Sequence, residues 1–452
     1  MRSQWYSVRA VVVAVVGLSC ASEGTGQGIQ SGVGSVVPSG SSGEPTDEAP
    51  PRPTYADAAT VENTSADCEV AELPAAGELP RIDKLPDPFQ KLDGTRLTEA
   101  SQWRCRRQEL LKQAEKYIYG DKPAKPENVS GSVTADAVAV DVEQGGTAIH
   151  FSAEVVLPSQ GTAPFPAIIN LGTRSGGITL GEDFILDQGV AIIFYNHYDL
   201  GKEGQPEASR GLPNPGLFYD IYGGNHSAGL LMAWAWGASR LLDVLQESGG
   251  ELIDSNRVGV TGCSRNGKGA FTVGVFDERI ALTIPEETST GGLPAYRIVD
   301  ATAGAERTSW NFNGLNWLSN DFQPFVENAT ELPIDSHEMV ALVAPRGLLV
   351  LDNPHVAQFA ASSAHTAVLA GAEVFAALGV ARNVSYVSDV ANAQHCAPSK
   401  PEYTEALVQN ISKFLKHEGE APGIIRAGAT GVGDLASWRD WQTPTLEGVP
   451  AE

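Results

Sequence analysis

The chain is short of cations, of cysteine and of long apolar runs, and each shortage excludes something. Thirty-one Lys and Arg stand against 55 Asp and Glu, which leaves a formal charge of −24 over 452 residues. Such a balance excludes nucleic acid and anionic bilayer surfaces as expected partners. It suits a substrate that is neutral, or anionic only where a local basic group receives it. The apolar run Ala10 to Leu18 is too short to cross a bilayer, and no second stretch approaches that length. No His-Glu-x-x-His string occurs, which argues against a metallohydrolase, and neither a metal nor a cofactor is expected. The sequence shows no internal repeat.

Cysteine is limited to Cys20, Cys68, Cys105, Cys263 and Cys396. Arg2 and Arg9 precede the apolar run, and Ser19-Cys20 follows it, which is the form of an export signal over residues 1–20. Cys20 fits a lipid-attachment site, although Leu18 lies one residue nearer than usual; ordinary secretion is the alternative. Either route predicts a secreted, periplasmic or outer-surface protein, touching a membrane only through a lipid on Cys20. Four cysteines then remain in an oxidising compartment. They read as two disulfides, with three pairings open, and free core cysteines are the alternative.

Residues 21–65 are rich in Gly, Ser, Pro and Ala without apolar periodicity and read as a flexible linker. A globular domain is expected over 66–417, and a Gly/Ala/Pro-rich tail over 418–452 in which Trp438 and Trp441 suggest docking. Within the domain, strand-like runs cover Ile149–Leu157, Ala167–Leu171, Ala191–Tyr195, Arg257–Thr261, Ala281–Pro285, Gly347–Leu351 and Val384–Val390. Helical spacing covers His226–Gln246, Ala364–Leu378 and Tyr403–Phe414. Several runs are apolar on both faces, as parallel strands between helices are. The alternation predicts a three-layer α/β sandwich with a mostly parallel sheet.

The richest segment is Val258-Gly-Val-Thr-Gly-Cys-Ser-Arg-Asn-Gly-Lys268. A β-branched run drives into a small-residue turn around Ser264, and a helical pattern follows. That is the form of a nucleophile elbow, and it specifies an α/β-hydrolase. The second glycine of the usual pattern is displaced: Asn266 stands in its place and Gly267 follows.

An activated serine needs a base, and the base needs an acid to orient it. After Ser264 come His337, His355, His365, His395 and His417. His395 lies just past the last strand and beside Cys396, as Ser264 lies beside Cys263. A Cys263–Cys396 bond would hold base and nucleophile together, which favours His395; His337, ahead of a helical run, reads as structural. Two acids compete. Glu287 follows the strand after the elbow, and Asp352 follows the next strand.

The stretches Gly216-Leu-Phe-Tyr-Asp-Ile-Tyr222, Ala233-Trp-Ala-Trp-Gly237, Val260 to Ala270, Ala344-Pro-Arg-Gly347 and His395-Cys396 resemble a glucuronoyl esterase. That family is carbohydrate esterase family 15, here in a bacterial member. Leu85-Pro-Asp-Pro-Phe89 and Trp103-Arg-Cys-Arg-Arg107 match as well, so the resemblance runs from about Cys68 to about Phe414. It implies cleavage of the ester between (4-O-methyl-)glucuronic acid side chains of xylan and lignin alcohols, by a chain expected to be monomeric. By the same resemblance Ser264 is the nucleophile, His395 the base and Glu287 the acid, with Asp352 in reserve. Arg265 stabilises the oxyanion, Lys268 binds sugar hydroxyls, and the disulfides are Cys263–Cys396 and Cys68–Cys105.

Two departures bear on the substrate. Leu351 to Gln358 carries no aromatic residue where fungal members place a sugar-stacking tryptophan. The family's sugar-contacting glutamate and glutamine fall within Gly304 to Ser319, where Trp310 and Trp317 are candidates for stacking. Two other readings compete: an acetyl or feruloyl esterase on the same fold, and a non-catalytic carbohydrate-binding surface lipoprotein.

Overall fold

The computed structural model describes residues 59–203, 214–309, 312 and 316–449. The expected export signal, Cys20, most of the expected linker and Trp310 lie outside the described residues. Among the described residues no helix is long and apolar enough to cross a membrane.

The strands are β1 (Asn128–Val133), β2 (Ala137–Gln144), β3 (Thr147–Val156), β4 (Phe165–Leu171), β5 (Ala191–Tyr195), β6 (Ile253–Cys263), β7 (Ile280–Glu286), β8 (Gly347–Leu351), β9 (Val384–Val387) and β10 (Ile425–Arg426). They form one sheet in the order β1-β2-β3-β5-β4-β6-β7-β8-β9-β10. Pairing is antiparallel from β1 through β3 to β5 and parallel from β5 to the β10 edge.

Burial follows the pairing. In β3, Ile149, Phe151, Ala153 and Val155 are buried while the residues between them are exposed, so one face is wet. In β5, β7, β8 and β9 every residue is buried, because helices cover both faces. Neighbouring residues of β4 enter opposite cores. Ile169 joins the core of helices Leu230–Glu247, Arg265–Phe276, Ser336–Val343 and Ala361–Ala377, and Ile168 joins that of helix Thr404–Lys416. This is the three-layer α/β-hydrolase arrangement that the alternation predicts.

Several boundaries differ from the sequence expectations. β1 and β2 were not anticipated: β1 is a polar edge strand with no buried residue, and β2 buries only alternate valines against one face. β6 begins at Ile253, four residues before Arg257, and β9 ends at Val387, three before Val390. Packing also reaches beyond the expected limits of 66 and 417. The Ala59 amide donates to the Glu278 carbonyl at 3.1 Å, and Glu62 pairs with Arg240 at 2.6 Å and with Lys122 at 2.5 Å. At the other end, β10 extends the sheet, and the buried Trp441 indole donates to the Leu85 carbonyl at 3.0 Å.

Candidate active site

Four consecutive parallel strands, β6 to β9, end along one edge of the sheet. Ser264 follows β6, Glu287 follows β7, Asp352 follows β8, and His395 lies in the loop after β9. The ladder continues into these residues. The Ser264 amide donates to the Glu286 carbonyl at 2.9 Å, Glu287 to Leu351 at 2.7 Å, and Asp352 to Val387 at 2.9 Å. Strand ends of this kind are where open α/β sheets carry their sites.

The turn at Ser264 is strained. Its φ of 62° and ψ of −126° lie where a side chain is disfavoured. Its neighbours make the turn possible by lacking side chains. A Cβ on Gly262 would sit 2.5 Å from the Asn266 carbonyl oxygen, and one on Gly267 would sit 2.6 Å from that of Glu286. The displaced second glycine thus has a physical reason, since the close approach to β7 falls on position 267. Ser264 occupies the N-cap of helix Arg265–Phe276, yet its side chain makes no capping bond.

His395 is joined to the acid. Its Nδ1 lies 2.8 Å from Glu287 Oε2, which also accepts the Cys396 amide at 3.0 Å. Lys400 Nζ forms an ion pair with Glu287 Oε1. Burial pushes the Glu287 carboxyl up, but the bonds from His395 and Lys400 and the Lys400 charge outweigh it and hold its pKa below the ordinary value. Asp352 has other partners: its carboxylate accepts the Asn353 amide at 2.8 Å and the Tyr386 hydroxyl at 2.9 Å. Burial raises it to about 6. The imidazole is therefore oriented by Glu287, not by Asp352.

Both expected disulfides are present. Cys263–Cys396 links the residues adjoining Ser264 and His395, with Cα atoms 5.8 Å apart, and Cys68–Cys105 has Cα atoms 5.4 Å apart. Among the described residues, Cys263, His395 and Cys396 are the group close enough to hold a metal. Their sulfurs are bonded to each other and offer no thiolate pair.

A cavity of about 850 Å³ opens over the strand ends, lined by Ser264, Arg265, Lys268, Glu306, Trp317, Phe359 and His395 among others. A slightly larger hollow, about 920 Å³, lies beside Cys68 and Tyr117. It contains neither Ser264 nor His395, so the chemistry belongs to the smaller one. The His395 side chain is 38% exposed and reachable from the cavity. Arg265 pairs with Glu203 at 2.7 Å. Partial burial lowers its pKa, and the bond and charge of Glu203 more than reverse this. Lys268 is buried, with Nζ 4.0 Å from the centre of the Trp317 ring and 3.8 Å from Glu306 Oε2. Burial brings it down to about 7 against the opposing charge of Glu306.

The other histidines are held elsewhere. The ring nitrogens of His337 and His355 meet the carbonyls of Pro86 and Val390, each at 2.8 Å, and His365 accepts the Gly433 amide at 2.9 Å. Trp317 belongs to the cavity wall, and its indole donates to Glu203 at 2.7 Å. Several contributors escaped sequence reasoning: Glu203, Glu306, Lys400, Tyr403 and Phe359. Phe359, whose ring lies 4.6 Å from His395, is one residue beyond the stretch found to lack an aromatic. Glu203, Glu306 and Lys400 sit in irregular stretches where no spacing rule applies, and Tyr403 heads helix Thr404–Lys416, where helical spacing marks it for packing.

A serine on a strained strand-to-helix turn and a histidine bonded to a carboxylate, on this sheet, define an α/β-hydrolase of the serine-esterase kind. Comparison with known proteins narrows the class. Residues 140–379 match the family model described as glucuronyl esterase, fungi. A 4-O-methyl-glucuronoyl methylesterase of Thermothelomyces thermophilus is 38% identical, the match covering 80% of this chain and 89% of that one. The enzyme of the same name from Neurospora crassa is 36% identical, over 82% of this chain and 92% of that one. A glucuronoyl esterase mutant from Sporotrichum thermophile, solved with methyl 4-O-methyl-β-D-glucopyranuronate, superimposes with a TM-score of 0.74 at 36% identity, covering 84% of this chain and 99% of that one. The chain belongs to the glucuronoyl esterase family. The expected bacterial affiliation is not supported, since these relatives are fungal.

Proposed function

We propose that the protein hydrolyses the ester between a glucuronic acid, with or without 4-O-methylation, and an alcohol. Its natural substrates are then the esters joining glucuronoxylan to lignin. The observation that carries this reading is the Glu287–His395 bond beside Ser264 in one cavity, in a chain of this family.

Chemistry follows from the geometry. With its Nδ1 proton held by Glu287, His395 presents Nε2 as the base that takes the Ser264 hydroxyl proton. The serine oxygen attacks the ester carbonyl and forms a tetrahedral intermediate whose negative oxygen needs fixed donors. The N-terminus of helix Arg265–Phe276 and the Arg265 side chain are suited to supply them, and one such donor is worth roughly 3–4 kcal/mol. Collapse expels the alcohol, which takes the proton back from His395. Water, activated by the same histidine, then releases the uronate from Ser264.

The cavity suits a sugar ester. Lys268 Nζ is held between the Trp317 face and Glu306, a placement from which it can bind sugar hydroxyls. Trp317 and Phe359 offer apolar faces to a pyranose ring or an aromatic alcohol. Export through residues 1–20, with anchoring at Cys20 or free secretion, is supported by the two disulfides.

The deciding experiment compares hydrolysis of benzyl glucuronate with that of acetylated xylan. Preference for the glucuronate, abolished by Ser264→Ala, is expected. Preference for the acetyl ester would make this a different carbohydrate esterase, and turnover unchanged in Ser264→Ala would remove the serine mechanism altogether.

A further inference from the structure

Three carboxyl groups meet in one buried space behind His395. Glu286 ends β7, Glu287 follows it, and Asp352 follows β8; each is no more than 3% exposed. Their partners differ in kind. Glu286 accepts the hydroxyls of Thr179 at 2.6 Å and Thr261 at 3.1 Å. Asp352 accepts the Asn353 amide and the Tyr386 hydroxyl of β9. Only Glu287 meets cationic or cation-forming groups: the His395 ring on one oxygen, and the Lys400 ammonium on the other. The Tyr403 hydroxyl lies 3.4 Å from that second oxygen and 2.9 Å from the Asp352 carbonyl. Lys400 is itself nearly sealed, its side chain 8% exposed.

We propose that Lys400 is a positioning residue for the Glu287–His395 pair. Its ammonium keeps the negative charge of this cluster on Glu287 and offsets part of that charge's pull on the imidazole. The proposal rests on the esterase reading given above. Burial, helped by the charge of Glu287 and opposed by hydrogen bonds and the Lys400 charge, leaves Glu286 at about 7 and Asp352 at about 6. As pH falls those two acids take up protons first, and Glu287, bonded by Lys400, stays ionised longest.

The consequence has a definite sign. A carboxylate beside an ammonium is nearly neutral as seen from the imidazole. Without the ammonium charge, the ring binds its proton next to an unbalanced carboxylate and becomes cationic at higher pH. A cationic ring cannot act as base, so the acid limb of the rate profile moves upward. The ring is more than a third exposed, and solvent screening reduces the effect to about one pH unit.

The test uses Lys400→Gln, which keeps a hydrogen-bond donor and removes the charge, beside Lys400→Arg, which keeps it. Two readouts are needed: kcat/KM for benzyl glucuronate against pH, and titration of the His395 ring resonances by NMR. Lys400→Gln should move both midpoints up by about one unit without changing KM on the plateau. Lys400→Arg should restore the parent values. Lys400→Met supplies a second neutral variant should Lys400→Gln not fold. Midpoints equal to those of the parent in a folded neutral variant, even one of lower Tm, would overturn the proposal and leave Lys400 a packing role. A parent inactive on the glucuronate at every pH would sink the esterase reading instead, and the NMR titration would still decide on Lys400.

Discussion

One oxygen of Glu287 accepts both the ring nitrogen of His395 at 2.8 Å and the amide of Cys396 at 3.0 Å. The acid thus holds the imidazole by its side chain and by the backbone of the next residue. Glu287 itself has a φ of 45°, a left-handed conformation for a residue other than glycine, and its own amide is anchored to the Leu351 carbonyl. The carboxylate is placed by the sheet, and the histidine is placed by the carboxylate.

Glu287→Ala should lower kcat by about two to four orders of magnitude, with a much smaller change in KM. Asp352→Ala should spare most of kcat and instead lower Tm, because it removes the buried carboxylate that accepts the Asn353 amide and the Tyr386 hydroxyl, at a cost of about 1–3 kcal/mol. Steady-state kinetics and a melting curve on both variants check this. Equal or reversed losses in kcat would contradict the assignment of the acid.

Lys268 is brought down to about 7 by burial, so its ammonium is depleted as pH rises through that value. If the ammonium binds sugar hydroxyls, KM for a glucuronate ester should climb above about pH 7, while kcat follows His395. Lys268→Arg should flatten the alkaline rise in KM, because guanidinium stays charged. A parent KM constant to about pH 9 would contradict this role for the ammonium.

Reduction of Cys263–Cys396 should lower activity before the domain unfolds. The bond closes a span of 133 residues, which the chain-entropy model values at about 5 kcal/mol as an upper figure. Its nearer effect is on the loop carrying His395, which is lashed directly to the end of β6. Activity and far-UV circular dichroism followed together over a reductant series separate the two effects. Full activity in the reduced, folded protein would show that the clamp is dispensable.

Glu62 ties the start of the packed chain to Arg240, a fully buried guanidinium. Burial pushes the Glu62 carboxyl up, but the charges of Lys122 and Arg240 prevail and hold its pKa below the ordinary value. A depressed folded-state value means that the contribution is complete above the ordinary carboxylate range and is lost as pH falls through the folded value. Glu62→Ala should therefore cost about 3 kcal/mol near neutrality, with the gap in Tm from the parent closing in acid. Melting curves from about pH 3 to about pH 7 measure this. A gap independent of pH would mean that the ion pair is not the cause.

How much was legible depended on how local the signal is. The parallel core strands and the long helices announce themselves, because burial on both faces or on one helical face leaves a period in the residues. β1 hid because a polar edge strand with no buried residue resembles a loop, and β2 because the valines it buries are interrupted by small and charged residues. Ser264 was readable from its turn, and His395 and Glu287 from their places just past strands. Lys400, Tyr403, Glu203 and Glu306 were not, since each acts through a contact with a residue far away in sequence.

By itself, then, the sequence determined the α/β class, the serine on its turn, the likeness to a family and the cysteines that flank the serine and the histidine. These depend on near neighbours and on hydrophobic period. Only the tertiary structure decided which carboxylate holds His395. Glu287 and Asp352 both follow strands, so position along the chain makes either a candidate for the triad acid. The choice came from where β7 and β8 end beside the loop of His395, and from the Tyr386 hydroxyl and Asn353 amide that occupy Asp352. Charge followed geometry: of three buried carboxyls, the one touching Lys400 and His395 is the one whose pKa is held below the ordinary value, while burial raises the other two.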